Sequence, residues 1–325
     1  MRIFDLHTDT MMDILVRAER GETDILARCH MPDYVKGEIG AQIFAAWIPA
    51  TKELAEEYFG KDPGTAQEIM MKMLAKSIRE LRESKAVGIA YNTGDIERIA
   101  ASGKIPVILG MEGFYGFNGE PEMIDLMYEL GIRHGMLTWN NDNEFGCGAG
   151  FDGEDRGLTD LGKATVRRME ELGMIIDVSH ASEKSFRDIM LNTRGPVIAS
   201  HSNAWSLCKV PRNLKDWQIR TIAASGGVIG MNGWKGFIRE DMETADVNGL
   251  AAHARYIADL VGPEYVACGF DFSNYLNPDE GTPGIEDASK AQNFVKALRD
   301  AGFTEEETRA ICWDNAMRVI KAVLG

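Results

Sequence analysis

Apolar residues along this chain gather into short runs that hardly alternate with polar ones, and most of the runs end at a polar residue capable of chemistry. Unalternating runs of this length, bounded by Gly, Pro and Asp, predict strands buried on both faces, as in a parallel sheet. Eight of them occur, at residues 2–6, 40–49, 106–113, 131–139, 173–180, 196–201, 226–232 and 265–272. Stretches of helical periodicity accompany them, at 10–20, about 64–84, 158–172, 182–191, 213–224, 250–261, 287–301 and 305–323. In the second stretch Met70, Met71 and Met73 are spaced as core filler. Strands separated by helical segments predict βαβ units, and eight of them predict a closed (β/α)8 barrel of the TIM type, with residues 1–325 as a single domain. An open doubly wound sheet could use the same elements. No Gly-x-Gly-x-x-Gly follows the first run, however, so the dinucleotide-binding version of that fold lacks its signature.

In such barrels chemistry sits at the carboxyl ends of the strands, and there stand His7 and Asp9, Glu112, His180, His201 and Asp271. The first pair lies in Asp5-Leu6-His7-Thr8-Asp9. Alternate residues of an extended chain share a face, so His7 and Asp9 can reach one cation, and an imidazole beside a carboxylate suits zinc. Of the six histidines, His7, His180 and His201 occupy strand ends, whereas His30 reads as loop and His134 and His253 as surface or packing residues. His180 or His201 taken singly would pass for a core histidine. Three imidazoles and two carboxylates at one barrel mouth are the complement of two divalent ions sharing a carboxylate, about 3.5–4 Å apart. The expected assignment places His7 and Asp9 on one ion, His180 and His201 on the other, and Glu112 between them. A hydroxide held between the ions would be the nucleophile. Asp271 is left to move the proton, its alternatives being a sixth ligand or a group that supports a ligand from behind. Asp5 shares parity with His7 and is expected to orient a ligand imidazole. Arg212, in Val-Pro-Arg-Asn-Leu-Lys-Asp, is a candidate clamp for a substrate carboxylate, or else an ordinary surface arginine.

Composition narrows the class. The 325 residues are 45% apolar and 26% charged, ordinary for a globular protein with a large core. A formal net charge of −15 argues against nucleic acid or an anionic membrane as partner. Five widely spaced cysteines without a Cys-x-x-Cys pair signal neither a disulfide framework nor a cysteine zinc knuckle, which suits a reducing cytosol. No signal-peptide pattern opens the chain and no apolar run approaches transmembrane length, so a soluble cytoplasmic protein is expected.

The phrases DLHTD, GAQIFAAWIP, GMEG, LTWNNDN, LGMIIDVSHAS, PVIASHSNA, PRNLKD, GGVIGMN and GFDF, in this order from residue 5 to about 273, closely resemble the membrane dipeptidase (renal dipeptidase) family of zinc peptidases. The resemblance implies a (β/α)8 barrel with two Zn2+ ions that hydrolyses free dipeptides, often tolerating a D residue at the carboxyl side, and a homodimer. Motif by motif it implies metal roles for His7, Asp9, bridging Glu112, His180 and His201, proton transfer by Asp271, and recognition of the substrate carboxylate by Arg212. Two positions depart from the family pattern. Trp139 stands where mammalian members carry a His thought to steady the oxyanion, and indole offers one N–H donor and no cationic form. Ser273 stands where a second Asp is expected. Without a lipid-anchor signal, the membrane attachment in the family's name is not expected here. A metal-dependent amidohydrolase acting on another small amide is the runner-up reading, and a barrel that binds without catalysis the third.

Overall fold

The first apolar run forms β1 (Ile3–Thr8), buried along its length. It lies parallel to and between β2 (Ile39–Trp47) and β9 (Val266–Cys268). The computed structural model describes residues 1–276 and 281–325. Within these, the remaining strands are β3 (Val87–Ile89), β4 (Ile105–Glu112), β5 (Ile132–Met136), β6 (Ile175–Ile176), β7 (Ile198–Ala199) and β8 (Val228–Met231). Eight strands run in the order β6-β5-β4-β2-β1-β9-β8-β7, and β3 attaches to β4 outside that path. A parallel bridge from Asp177 to Ile198, with Val178 N–H donating to the Ile198 carbonyl at 2.8 Å, brings the two ends of the path together. The result is a nearly closed parallel barrel of the (β/α)8 type, and its eight staves are the eight runs expected from the sequence.

The inside of the barrel is graded. At its floor Phe4, Ile43, Ile108, Ile198 and Val228 form one buried cluster with Val319 and Ile320 of the terminal helix Asn315–Leu324, which plugs the opening. Along β4, Ile108, Gly110 and Glu112 share a face by strand alternation, so the lining passes from apolar to glycine to carboxylate toward the mouth. Glycine is required at 110: a Cβ there would lie 2.3 Å from the Nδ1 of His134, which fills the space.

Several expectations are corrected. The short strand β3 and the helix Thr93–Ala101 after it were not anticipated, because three residues containing Gly88 carry no periodic signal. β6 and β7 keep only two ladder residues each, since the rest of those runs turns into the site. His30 is not in an open loop: it ends a helical turn, Leu26–His30, buried with Nε2 2.8 Å from Asp13 Oδ2. Met70 and Met73 are core, but Met71 is 42% exposed. The five cysteines are free thiols, and no helix among the described residues is long and apolar enough to cross a membrane.

Candidate metal centre

Glu112 ends β4 facing the barrel mouth, and its two oxygens serve different neighbours. Oε2 lies 3.2 Å from His7 Nε2, while Oε1 lies 2.9 Å from His180 Nε2 and 3.5 Å from His201 Nε2. On the first side Asp9 Oδ1 and Asp271 Oδ1 stand 3.7 and 3.8 Å from His7 Nε2. All five residues expected as ligands therefore converge on one place, with Asp271 beside them. Two triads, His7–Glu112–His201 and His7–Asp9–Asp271, each bring three potential ligand atoms within 4.8 Å of one another.

Local backbone explains how they arrive. β1 ends at Thr8, and Asp9 is the helix-preceding residue, with φ −85° and ψ 25°. It therefore reaches His7 through a turn and not by strand alternation. Asp5 also differs from expectation. Its carboxylate accepts the backbone N–H of Phe270 at 2.9 Å and of His7 at 3.4 Å, so it ties the main chain of β1 to the segment after β9 and does not hold an imidazole. His180 and Asp271 both adopt left-handed backbone, φ 65° and 59°. Non-glycine residues pay about 1–2 kcal/mol for that conformation, and His180 is held in it by Ala149 N–H donating to its carbonyl at 2.7 Å.

The outer nitrogen of His180 fixes which way its ring works. His180 Nδ1 is 2.8 Å from Asn140 Oδ1, an acceptor, so Nδ1 carries the proton and Nε2 presents a lone pair. His201 Nδ1 is 2.7 Å from Ser200 Oγ. That hydroxyl can donate or accept, so it leaves the His201 tautomer open, and the two Nε2 atoms that face each other at 2.9 Å share either a proton or a cation. Burial holds both rings well below the usual histidine pKa, with Arg212 and His7 adding to the effect. Burial would lower His7 too, but Glu112, Asp9 and Asp271 outweigh it and raise its pKa well above the usual value. Glu112 is pushed up to about 8 by burial, reinforced by Asp9. Carboxylates crowded out of water call for positive charge, which either a proton on His7 or a bound cation supplies. A divalent cation fits this donor set on independent grounds as well: His7 Nδ1 and Nε2, Asp9 Oδ1 and Glu112 Oε2 are buried without a hydrogen-bond partner, which is costly for atoms of such polarity.

Around these groups lies a cavity of about 250 Å³ whose walls include Trp47, Trp139, Trp234, Phe237 and Asn140. Trp139 stacks edge-on against Trp47 at 5.4 Å and sits 5.9 Å from the His180 ring. Arg212 is buried, not a surface residue. Nη2 donates to the His201 carbonyl at 2.9 Å and Nη1 to Ser202 Oγ at 3.3 Å, leaving Nε without a partner. Asn232, which sequence reasoning passed over, donates to Asp271 Oδ2 at 3.0 Å. Asn140 was missed in the same way. Both follow apolar runs at strand ends, the signal that found the histidines, but an amide does not announce chemistry by its type.

The membrane dipeptidase family, peptidase family M19, matches residues 1–324. An uncharacterised protein from the pqqA 5' region of Klebsiella pneumoniae is 33% identical over 263 residues, 78% of this chain and 93% of that protein. A crystal structure of the dipeptidase AC, a metallopeptidase of family M19, superposes with a TM-score of 0.87 at 24% identity over 100% of this chain and 99% of that one. A metallopeptidase from Rhodobacter sphaeroides, liganded with a phosphinate mimic of the dipeptide L-Ala-D-Ala, gives 0.87 at 23% identity over 99% of both chains.

Proposed function

Because the chain belongs to the membrane dipeptidase family of metallopeptidases, and so is a metal-dependent dipeptidase, we propose that it cleaves free dipeptides with two zinc ions at the barrel mouth. In this reading His7 and Asp9 hold one ion, His180 and His201 the other, and Glu112 spans both. The single observation that carries the reading is the division of Glu112, with Oε2 toward His7 and Oε1 toward His180 and His201. Bound there, the ions would supply Lewis acidity toward the peptide carbonyl and would make water acidic enough to attack near neutral pH.

The chain's own groups do the rest. Asp271 takes the proton released by water and returns it to the leaving amine, a role supported by its place 3.8 Å from His7 Nε2 and by Asn232, which orients its carboxyl group. Arg212 meets the free carboxylate of the substrate through its unpartnered Nε. Nη1 spends one N–H on Ser202 and Nη2 one on His201, so each keeps a second N–H that can act beside Nε–H on the carboxylate. The aromatic walls, Trp139 among them, exclude water from the peptide bond and bound the substrate's size. Acceptance of L-Xaa-D-Xaa substrates is supported by the L-Ala-D-Ala mimic carried by the Rhodobacter sphaeroides structure. Residues 1–325 acting as one domain, a homodimer, and a cytoplasmic setting are parts of the same proposal, the last supported by the five free thiols.

The test is amino-acid release by the zinc-loaded protein from L-Xaa-L-Xaa and L-Xaa-D-Xaa dipeptides, with tripeptides and carboxyl-amidated dipeptides as controls. Cleavage confined to free dipeptides is expected. Equal cleavage of amidated substrates would remove Arg212 from carboxylate recognition, and hydrolysis of other small amides without dipeptides would favour the amidohydrolase reading.

A further inference from the structure

The barrel ladder is thinnest between β6 and β7, directly beneath His180 and His201. There the strands share one bridge, Asp177 to Ile198, and a buried carboxylate supplies further hydrogen bonds. Asp177 Oδ1 accepts the backbone N–H of Ser179 at 2.8 Å, on its own strand end, and that of Ser200 at 3.1 Å, across the seam. Its other oxygen, Oδ2, lies 2.8 Å from Nε2 of His134 on β5. Both residues are almost completely buried, and neither touches the cavity where substrate is expected.

Each of the two backbone bonds to Asp177 Oδ1 leads in one step to a ligand histidine. Ser179 precedes His180 and, through Oγ, accepts the backbone N–H of His201 at 3.2 Å. Ser200 precedes His201 and lies 2.7 Å from its Nδ1 through Oγ. One carboxylate therefore ties three strands together at the level where two imidazoles must meet at 2.9 Å. We propose that the Asp177–His134 pair is the positioning device of the second metal subsite, setting the separation and aim of His180 and His201. This rests on the reading that those two histidines bind an ion. An apolar pair of the same volume would fill the space, and such replacements are often neutral for stability, but it would leave the Ser179 and Ser200 N–H groups without their acceptor and the seam without its tie. The requirement for Gly110, whose Cβ would lie 2.3 Å from His134 Nδ1, shows that the barrel wall is cut back to admit the pair.

The experiment is titration of the metal-free full chain with Co2+, followed by visible absorption and calorimetry, for the wild type, Asp177→Asn, His134→Leu and His134→Gln. The wild type is expected to bind two ions. Asp177→Asn and His134→Leu are expected to bind the first with unchanged affinity and the second about tenfold or more weakly, the usual size of effect for a group behind a metal ligand. His134→Gln, which keeps an N–H for Asp177, is expected to recover most of that loss. If Asp177→Asn does not fold, the two His134 variants decide the matter. Folded variants that bind both ions like the wild type, or lose both equally, overturn the positioning role whatever their melting temperatures. A wild type that binds only one ion overturns the two-ion reading itself, and the positioning role with it.

Discussion

Asp271 is pushed up to about 6 by burial first, with His7 and Arg212 pulling down and Asp9 pushing up. A carboxyl group so poised exchanges a proton near neutrality more readily than an ordinary aspartate, which is what a group serving water and a leaving amine needs. Its position beside His7 and Asp9 also makes it a potential ligand, and the two roles separate experimentally. In Asp271→Asn the amide keeps the shape but loses the proton shuttle. Its kcat is expected to fall about 10²–10⁴-fold, with the metal content measured by elemental analysis still two ions per chain. Loss of an ion from that variant would make Asp271 a ligand. His180 and Asp271, the left-handed residues on either side of the site, show why such groups sit at strand ends: strain there is tolerated where neighbouring backbone over-determines the conformation.

At the scale of elements, strand ends were legible and the turns behind them were not. A run such as 173–180 announces a buried strand and its terminal His180, but the backbone leaves the ladder after Ile176, and only Asn140, from a segment 40 residues away, fixes the tautomer of the ring. Hydrophobic periodicity carries no information about such partners. The same limit applies to His134, read as surface or packing and found bonded to Asp177, and to Asp5, whose parity was right and whose target was the main chain. His253, read like His134 as surface or packing, is buried in the core. In the helix Val247–Val261 its Nδ1 accepts Ala204 N–H at 3.1 Å and its Nε2 donates to the Ile238 carbonyl at 2.9 Å. Burial lowers its pKa to about 4, with Arg239 acting in the same direction. The unfolded chain, titrating near 6.5, binds a proton that the fold excludes, so stability is intact above about pH 6.5 and declines as pH falls toward 4, by roughly 3 kcal/mol at most. In chelator, melting temperatures from pH 7 to 4.5 are expected to fall less steeply for His253→Gln, which retains both a donor and an acceptor. Parallel slopes for the two proteins would contradict this assignment.

The whole molecule sets three carboxylates, Asp9, Glu112 and Asp271, close together at the mouth of a barrel that already carries a net charge of −15. Such a cluster opposes folding unless protons or cations neutralise it, and the apolar floor sealed by Val319 and Ile320 must hold the staves together against that repulsion. The barrel is therefore expected to be weaker without metal, because an ion bound only by the native state stabilises it by about 2.7 kcal/mol at a hundred times its dissociation constant. Scanning calorimetry of zinc-loaded and chelated protein at pH 7.5 should give a melting temperature several degrees lower after chelation, restored by added zinc. Glu112→Gln isolates the cause: one negative charge and the shared ligand disappear together, so its chelated form should melt no lower than the chelated wild type while zinc raises it much less. If chelation leaves the wild-type melting temperature unchanged, the carboxylates are neutralised by protons, the ions contribute nothing to the fold, and the stability of the barrel resides in its floor and helices alone.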